Sequence, residues 1–156
     1  MTVTVDLQIA FDGETPDAEQ FQQWAESALS DVVEDCELSV RLVDEQESSD
    51  LNSTYRGKVG PTNVLSFPFD SPVPIEPRLL GDLIICVPVV EIEAKQQQKS
   101  VNHHWAHMVV HGCLHLLGYD HVETKEAEQM EALEVTILQS MKIDDPYGIS
   151  EQGESR

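Results

Sequence analysis

Apolar residues alternate with polar ones along several short stretches of the chain, and this period of two is typical of β-strands. Residues 2–11 (TVTVDLQIAF) are apolar at every second position, which predicts a first strand. The same alternation predicts strands over residues 38–42 and 65–69. Pro68 places the latter at a sheet edge, because proline cannot donate a hydrogen bond to a neighbouring strand. Residues 79–87 form a fuller apolar run, which indicates a more buried strand.

Other stretches repeat their apolar residues every three or four positions, which is the period of an amphipathic helix. Asp17 and Gln20 have the spacing of a capping box, so we expect a helix to begin at residue 18. Because strands and helices are mixed without a strict β-α-β repeat, the pattern predicts the α+β or mixed α/β class. The predicted helices cover residues 18–34, 45–55, 88–98, 101–117 and 124–141.

The chain has 156 residues, of which 40% are hydrophobic, and this suits one domain with one core. We expect residues 1–145 to form that domain and residues 146–156 to be a polar, disordered tail. No apolar run approaches the ~20 residues of a membrane span, and the first residues lack the pattern of a signal peptide. We therefore expect a cytoplasmic protein. The three cysteines lie far apart and are expected to be reduced thiols: Cys36, Cys86 and Cys113.

The formal net charge is −20, which by itself argues against binding nucleic acid, because phosphate contacts need Lys and Arg. The acidic residues, however, avoid two windows. Residues 51–69 contain Arg56 and Lys58 but no acid, and residues 94–119 contain five of the six histidines and no acid. Together the windows predict a local surface from which an anion is not repelled.

The second window runs into the segment HGCLHLLGYDH, residues 111–121. His111 and His115 are four apart, which places them on one face of a helix. Gly118 ends that helix and allows the chain to return with His121. The pattern HxxxHxxGxxH is the spacing of a metzincin zinc motif. Three histidines with an open fourth position predict a catalytic zinc site, although nickel or another divalent transition metal also suits this ligand set.

The residues around this motif have other predicted roles. His107 either lines the cleft, makes a hydrogen bond to a ligand, or simply packs in the core. His103 and His104 are expected nearer to solvent. Cys113 lies roughly 200° around the helix from His111, so it should face the core. Asp120 could assist a reaction, but its ordinary role would be to cap a helix or to orient a ligand.

Two features bear on the chemistry. Position 112, which holds the general base Glu in the protease motif, is Gly112 here, so peptide hydrolysis by that mechanism loses its base. Zinc itself lowers the pKa of bound water to about 7. Arg56 stays protonated and can clamp a phosphate and stabilise charge that develops on it; the alternative is an ordinary surface or ion-paired arginine.

Three stretches of the chain resemble the bacterial YbeY endoribonucleases, also described as ribosomal RNA maturation factors. They are LNSTYRGKVGPTNVLSFPF at 51–69, LLGDLIIC at 79–86 and HWAHMVVHGCLHLLGYDH at 104–121, with EALE at 131–134 and DDPY at 144–147 in addition. The resemblance implies an α+β fold with a mixed sheet of about four strands, about five helices and a zinc-protease-like metal helix.

It also implies zinc-dependent cleavage of single-stranded RNA, in ribosomal RNA maturation and ribosome quality control. Carried over by position, the metal ligands are His111, His115 and His121, and the functional arginine is Arg56, with His111 also counted as catalytic. The implied partners are ribosomal RNA and the small ribosomal subunit with its proteins, and neither DNA nor a membrane. Because the chain is so acidic, we expect binding to rely on the ribosome or on protein partners.

Two alternatives remain open at this stage. The first is a zinc metallopeptidase-like hydrolase, against which Gly112 counts. The second is a non-catalytic ribosome assembly factor with a structural metal. The open coordination position and Arg56 argue against this alternative.

Overall fold

The computed structural model describes residues 2–69, 77–119 and 123–143. Within them the chain forms one four-stranded sheet and five helices. The strands are β1 (Val3–Ile9), β2 (Cys36–Val43), β3 (Val64–Pro68) and β4 (Arg78–Cys86). The helices are α1 (Ala18–Ala28), α2 (Glu45–Arg56), α3 (Val87–Gln96), α4 (Val101–Leu116) and α5 (Thr124–Ser140). The predicted α+β class is confirmed. The predicted tail, residues 146–156, lies outside the described residues.

The sheet is mixed, with the strand order β1-β2-β4-β3. Strands β1, β2 and β4 are parallel, and β3 runs antiparallel to β4. The prediction that Pro68 marks an edge strand is confirmed, because β3 is the last strand in this order. The stretch predicted to be more buried is β4, which lies between β2 and β3.

One helix limit was predicted wrongly. Helix α1 ends at Ala28, whereas the apolar period predicted a helix to residue 34. Ser30 and Asp31 compete with the backbone for hydrogen bonds, and two β-branched valines follow them, so the helix is not extended. The predicted capping box is confirmed: Asp17 Oδ1 accepts from the Gln20 amide at 2.9 Å, and Gln20 Oε1 accepts from the Asp17 amide at 3.0 Å.

The core lies between one face of the sheet and helices α1 and α4. Helix α1 packs against β1 and α4, while α4 packs against β3 and β4. Phe21 of α1 and Trp105 of α4 meet edge to face, with ring centroids 5.6 Å apart. No described helix is long and apolar enough to cross a membrane.

Two glycines set the close approach of α4 to β4. A Cβ atom on Gly112 would lie 2.7 Å from Leu83 Cδ2, so the helix rests directly on the strand at this point. Gly81 has φ +137° in the strand, and a Cβ there would overlap the carbonyl oxygen of Phe67 and meet Leu116. Helix α4 therefore runs along β4 in the opposite direction.

This contact also decides which way the histidines face. Cys113 lies about 100° to one side of Gly112, while His111 and His115 lie about 100° and 60° to the other side. Cys113 and Cys36 of β2 are neighbours in the buried core. The histidine side of α4 therefore leans away from β2, toward the edge strand β3.

Candidate metal centre

Four histidines of α4 follow one another along the buried helix. Their ring centroids are 6.0 Å apart for His104 and His107, 6.2 Å for His107 and His111, and 4.6 Å for His111 and His115. His103 is exposed, as predicted. The prediction for His104 was wrong: it is only 2% exposed, and its Nε2 atom lies 2.8 Å from Glu93 Oε1 between α3 and α4.

The imidazole rings of His111 and His115 point the same ring nitrogen at each other. Their Nε2 atoms are 3.2 Å apart. The His115 Nδ1 atom lies 3.0 Å from the carbonyl oxygen of Tyr119, and the His111 Nδ1 atom lies 2.8 Å from a carboxylate oxygen of Glu134. Both partners are acceptors, so in the neutral rings each Nδ1 carries the proton and each Nε2 presents a lone pair.

Two lone pairs at this separation repel unless a cation or a proton lies between them. A tetrahedral zinc ion with Zn–N bonds of about 2.0–2.1 Å places two ligand nitrogens roughly 3.3 Å apart. The residues present therefore fit a transition-metal ion. His121, the third predicted ligand, and Asp120 lie outside the described residues.

Glu134 of α5 is the residue that the sequence interpretation missed. It is 0% exposed, and its carboxylate accepts hydrogen bonds from His107 Nε2 at 2.7 Å and from His111 Nδ1 at 2.8 Å. The sequence did carry a signal, since Glu134 lies at spacing four between two apolar residues, Met130 and Leu138. The structure buries all three side chains. An acid within a buried apolar stripe needs a partner, and the neighbouring helix is rich in histidine.

His107 Nε2 lies 2.7 Å from Glu134 Oε1, and because Glu134 is not one of the predicted ligands, the predicted hydrogen bond from His107 to a ligand stays a prediction. Burial lowers the pKa of His107, and the hydrogen bond and the charge of Glu134 oppose this shift. Ligand atoms of His107, His111 and Glu134 lie within 4.8 Å of one another, so this group could also hold a metal ion. The structure thus contains two overlapping donor sets that share His111.

A second His–Glu pair, formed by buried His104 and half-buried Glu93, lies near the start of the same helix. Glu93 of α3 lies 2.8 Å from His104 Nε2 and accepts from Asn63 Nδ2 at 3.2 Å. Burial alone would raise the pKa of Glu93, but the hydrogen bonds from His104 and Asn63 outweigh it, so the pKa is lowered. The pair joins α3, α4 and the residue before β3, and it was not foreseen.

Two neighbours of His111 face the core. Cys113 is fully buried, as predicted, and burial raises the pKa of its thiol to about 12. It is therefore a packing residue rather than a thiolate ligand. Gly112 contacts Leu83 of the sheet, so a side chain at this position would start toward the strand.

Arg56 is the last residue of α2 and is exposed. Its guanidinium group donates to the carbonyl oxygen of Ser66 at 2.7 Å and lies 5.7 Å from the centre of the Phe67 ring. Gly57 ends the helix in the left-handed conformation with φ 66°. Strand β3 is the element that Arg56 and the histidine helix share, because the arginine bonds to it and α4 packs on it.

The fold and this site define an α+β protein with a histidine-rich helix that can hold a metal ion. The sequence profile of endoribonuclease YbeY matches residues 8–142, and the chain belongs to that endoribonuclease family. The solution structure of TM1509 from Thermotoga maritima is similar, with a TM-score of 0.57 and 24% sequence identity. The match covers 97% of this chain and 99% of that chain. This likeness confirms the fold.

Proposed function

We propose that this chain is a zinc-dependent, single-strand-specific endoribonuclease that acts in ribosomal RNA maturation and ribosome quality control in the cytoplasm, with residues 1–145 as its one catalytic domain. The observation that carries the proposal is the pair of Nε2 atoms of His111 and His115, 3.2 Å apart. Membership of the endoribonuclease family supports RNA as the substrate in this proposal.

In the proposal, His111, His115 and His121 hold the metal, and the metal is zinc or, less favoured, nickel. When bound, it supplies Lewis acidity and activates water for attack on phosphorus. Glu134 and the Tyr119 carbonyl fix the orientation of two ligand rings through their Nδ1 atoms, as outer partners of metal-bound histidines commonly do.

Arg56 is proposed to bind the scissile phosphate and to stabilise the negative charge that grows on it. Its bond to Ser66 uses one guanidinium nitrogen, which leaves other N–H groups of this five-donor side chain for a phosphate. A peptidase reaction is disfavoured, because Gly112 faces Leu83 and no carboxylate stands at the position of the protease base.

The proposed partners are single-stranded ribosomal RNA and the small ribosomal subunit with its proteins, and not DNA or a membrane. The charge of −20 opposes binding to free RNA. We therefore propose that docking on the ribosome raises the local concentration of substrate.

The test is cleavage of a single-stranded ribosomal RNA fragment by zinc-loaded protein. Arg56→Ala should lose at least about 100-fold in rate, the cost of removing one charge-stabilising group, and His111→Ala, which removes a metal ligand, should lose at least as much. His103→Ala, the same change on an exposed face of the same helix, should cleave normally. If Arg56→Ala and His111→Ala both cleave as well as the unmodified protein, the nuclease proposal fails and a non-catalytic assembly factor is favoured.

Two further alanine variants, at His115 and His107, distinguish between the two donor sets. With metal held by His111, His115 and His121, His115→Ala should abolish metal binding, whereas His107→Ala should only weaken it. With metal held by His107, His111 and Glu134, His107→Ala should abolish metal binding, whereas His115→Ala should only weaken it.

A further inference from the structure

Exposed aromatic side chains stand beside Arg56 on the far face of the sheet. Tyr55 and Phe67 meet edge to face with centroids 5.4 Å apart. Phe69 follows the end of β3 at Pro68, and its amide donates to the Leu80 carbonyl oxygen at 2.9 Å, so the alternation of the strand places it on the same side as Phe67. Tyr55 is 63% exposed and Phe69 is 48% exposed. We call Tyr55, Phe67 and Phe69 the aromatic platform.

We propose that unpaired bases of an RNA strand stack on the aromatic platform where the strand crosses β3, the edge strand of the sheet. This inference rests on the proposed function. Helix α4 packs on β3 from the face opposite the platform, and its histidine side leans toward that strand. Arg56 bonds to the Ser66 carbonyl and also lies over the Phe67 ring. A phosphate held by Arg56 would therefore have the metal centre on one side and the platform on the other.

The charge of the protein favours stacking as the source of RNA affinity. With 29 acidic and 9 basic side chains, few phosphate contacts are available, whereas an uncharged base is not repelled by nearby acids. Asp82, the register partner of Phe67, would weaken a phosphate site but not a base site. Every base has a π-face, so this contact accepts any unpaired sequence and rejects a duplex.

The edge itself argues against a protein strand as the occupant. An added β-strand needs the outward carbonyl groups of β3, and the Ser66 carbonyl already accepts a hydrogen bond from Arg56. Lys58 is exposed, lies two residues after Arg56 in the same acid-free window, residues 51–69, and brings a second cation to this segment. The surface thus combines aromatic rings with the Arg56 cation, a combination found in single-strand binding sites.

The experiment measures fluorescence quenching of a single-stranded RNA that contains 2-aminopurine, with chelator present so that the strand is not cut. Tyr55→Ala and Phe69→Ala should each raise the Kd by about 5- to 150-fold, corresponding to ~1–3 kcal/mol of stacking, and reduce the quenching. Tyr55→Phe should restore both, whereas Tyr55→Leu, which lacks a π-face, should not. Val33→Ala is the control, because Val33 is 85% exposed and lies outside the platform.

Unchanged Kd and quenching in Tyr55→Ala and Phe69→Ala would overturn the inference. It would also be overturned if Tyr55→Ala bound the RNA normally but no longer bound ribosomal subunits, since the platform would then contact protein. The outcomes separate this inference from the proposed function: quenching that depends on Tyr55 without any metal-dependent cleavage supports the platform alone. Cleavage that is insensitive to Tyr55 supports the nuclease alone.

Discussion

Replacing Glu134 with glutamine removes one charge from the centre of the site and almost no volume. The carboxylate accepts from both His107 Nε2 and His111 Nδ1. A glutamine side chain has one oxygen and one NH2 group, so it can accept from only one of the two rings, and its own N–H groups face the other.

The loss of one hydrogen bond to a buried charge costs about 1.5–3 kcal/mol in the free energy of unfolding. A second effect falls on the metal. If the amide faces His111 Nδ1, the ring must move its proton to Nε2, which can then no longer bind an ion. We expect a 10- to 100-fold loss of metal affinity, the usual effect of removing such an outer partner.

The assay is competition for zinc with a chromophoric chelator, together with urea unfolding of the metal-free protein. Glu131→Gln is the matched control, because Glu131 is exposed on the same helix and undergoes the same chemical change. If Glu134→Gln binds zinc as tightly as Glu131→Gln does, Glu134 does not orient His111. A loss far above 100-fold, with zinc binding intact in His115→Ala, would instead make Glu134 a direct ligand.

Three further predictions concern the fold and its pH dependence. Gly112→Ala should lower the free energy of unfolding by about 1–3 kcal/mol, because the added Cβ would press on Leu83. Urea unfolding should show a smaller loss of stability when the same change is made in a Leu83→Ala background. An equal loss in both backgrounds would contradict the contact between residue 112 and Leu83. Gly81→Ala should cost at least ~1–3 kcal/mol from backbone strain alone, measured as a fall in the unfolding midpoint; a neutral effect would mean that the strand adapts. Because burial lowers the pKa of His107, the unfolded chain takes up its proton first, near pH 6.5. The free energy of unfolding of the metal-free protein should therefore fall as the pH drops from 7 through 6.5 toward the lower pKa of folded His107. His107→Asn should make the free energy of unfolding depend less on pH in this range. An increase in stability on acidification would contradict the prediction.

The sequence predicts most of the fold because its signals are local. Alternation locates the strands, Pro68 identifies the edge, and the Asp17–Gln20 capping box marks the start of α1. The end of α1 was missed because Val32 continues the apolar spacing beyond the last helical turn. Spacing reports which side of a segment is apolar, not whether the backbone there remains helical.

In the candidate site too, the features set within one helix could be predicted from the sequence, whereas the contacts between helices could not. The spacing of His111 and His115 is a property of a single helix, and the structure brings their Nε2 atoms together. Glu134 lies 23 residues along the chain from His111, and the packing of α5 on α4 decides that contact. His104 was misjudged for the same reason, since its contact with Glu93 is made between two helices.

The central claim is that His115 holds a metal that RNA cleavage requires. The most direct test measures, on the same samples, bound zinc per chain and the rate of single-stranded RNA cleavage, for the unmodified protein, His103→Ala and His115→Ala. The account predicts one zinc per chain and full cleavage for the first two proteins, and the loss of both in His115→Ala. A His115→Ala protein that still binds one zinc and cleaves at the normal rate would contradict it.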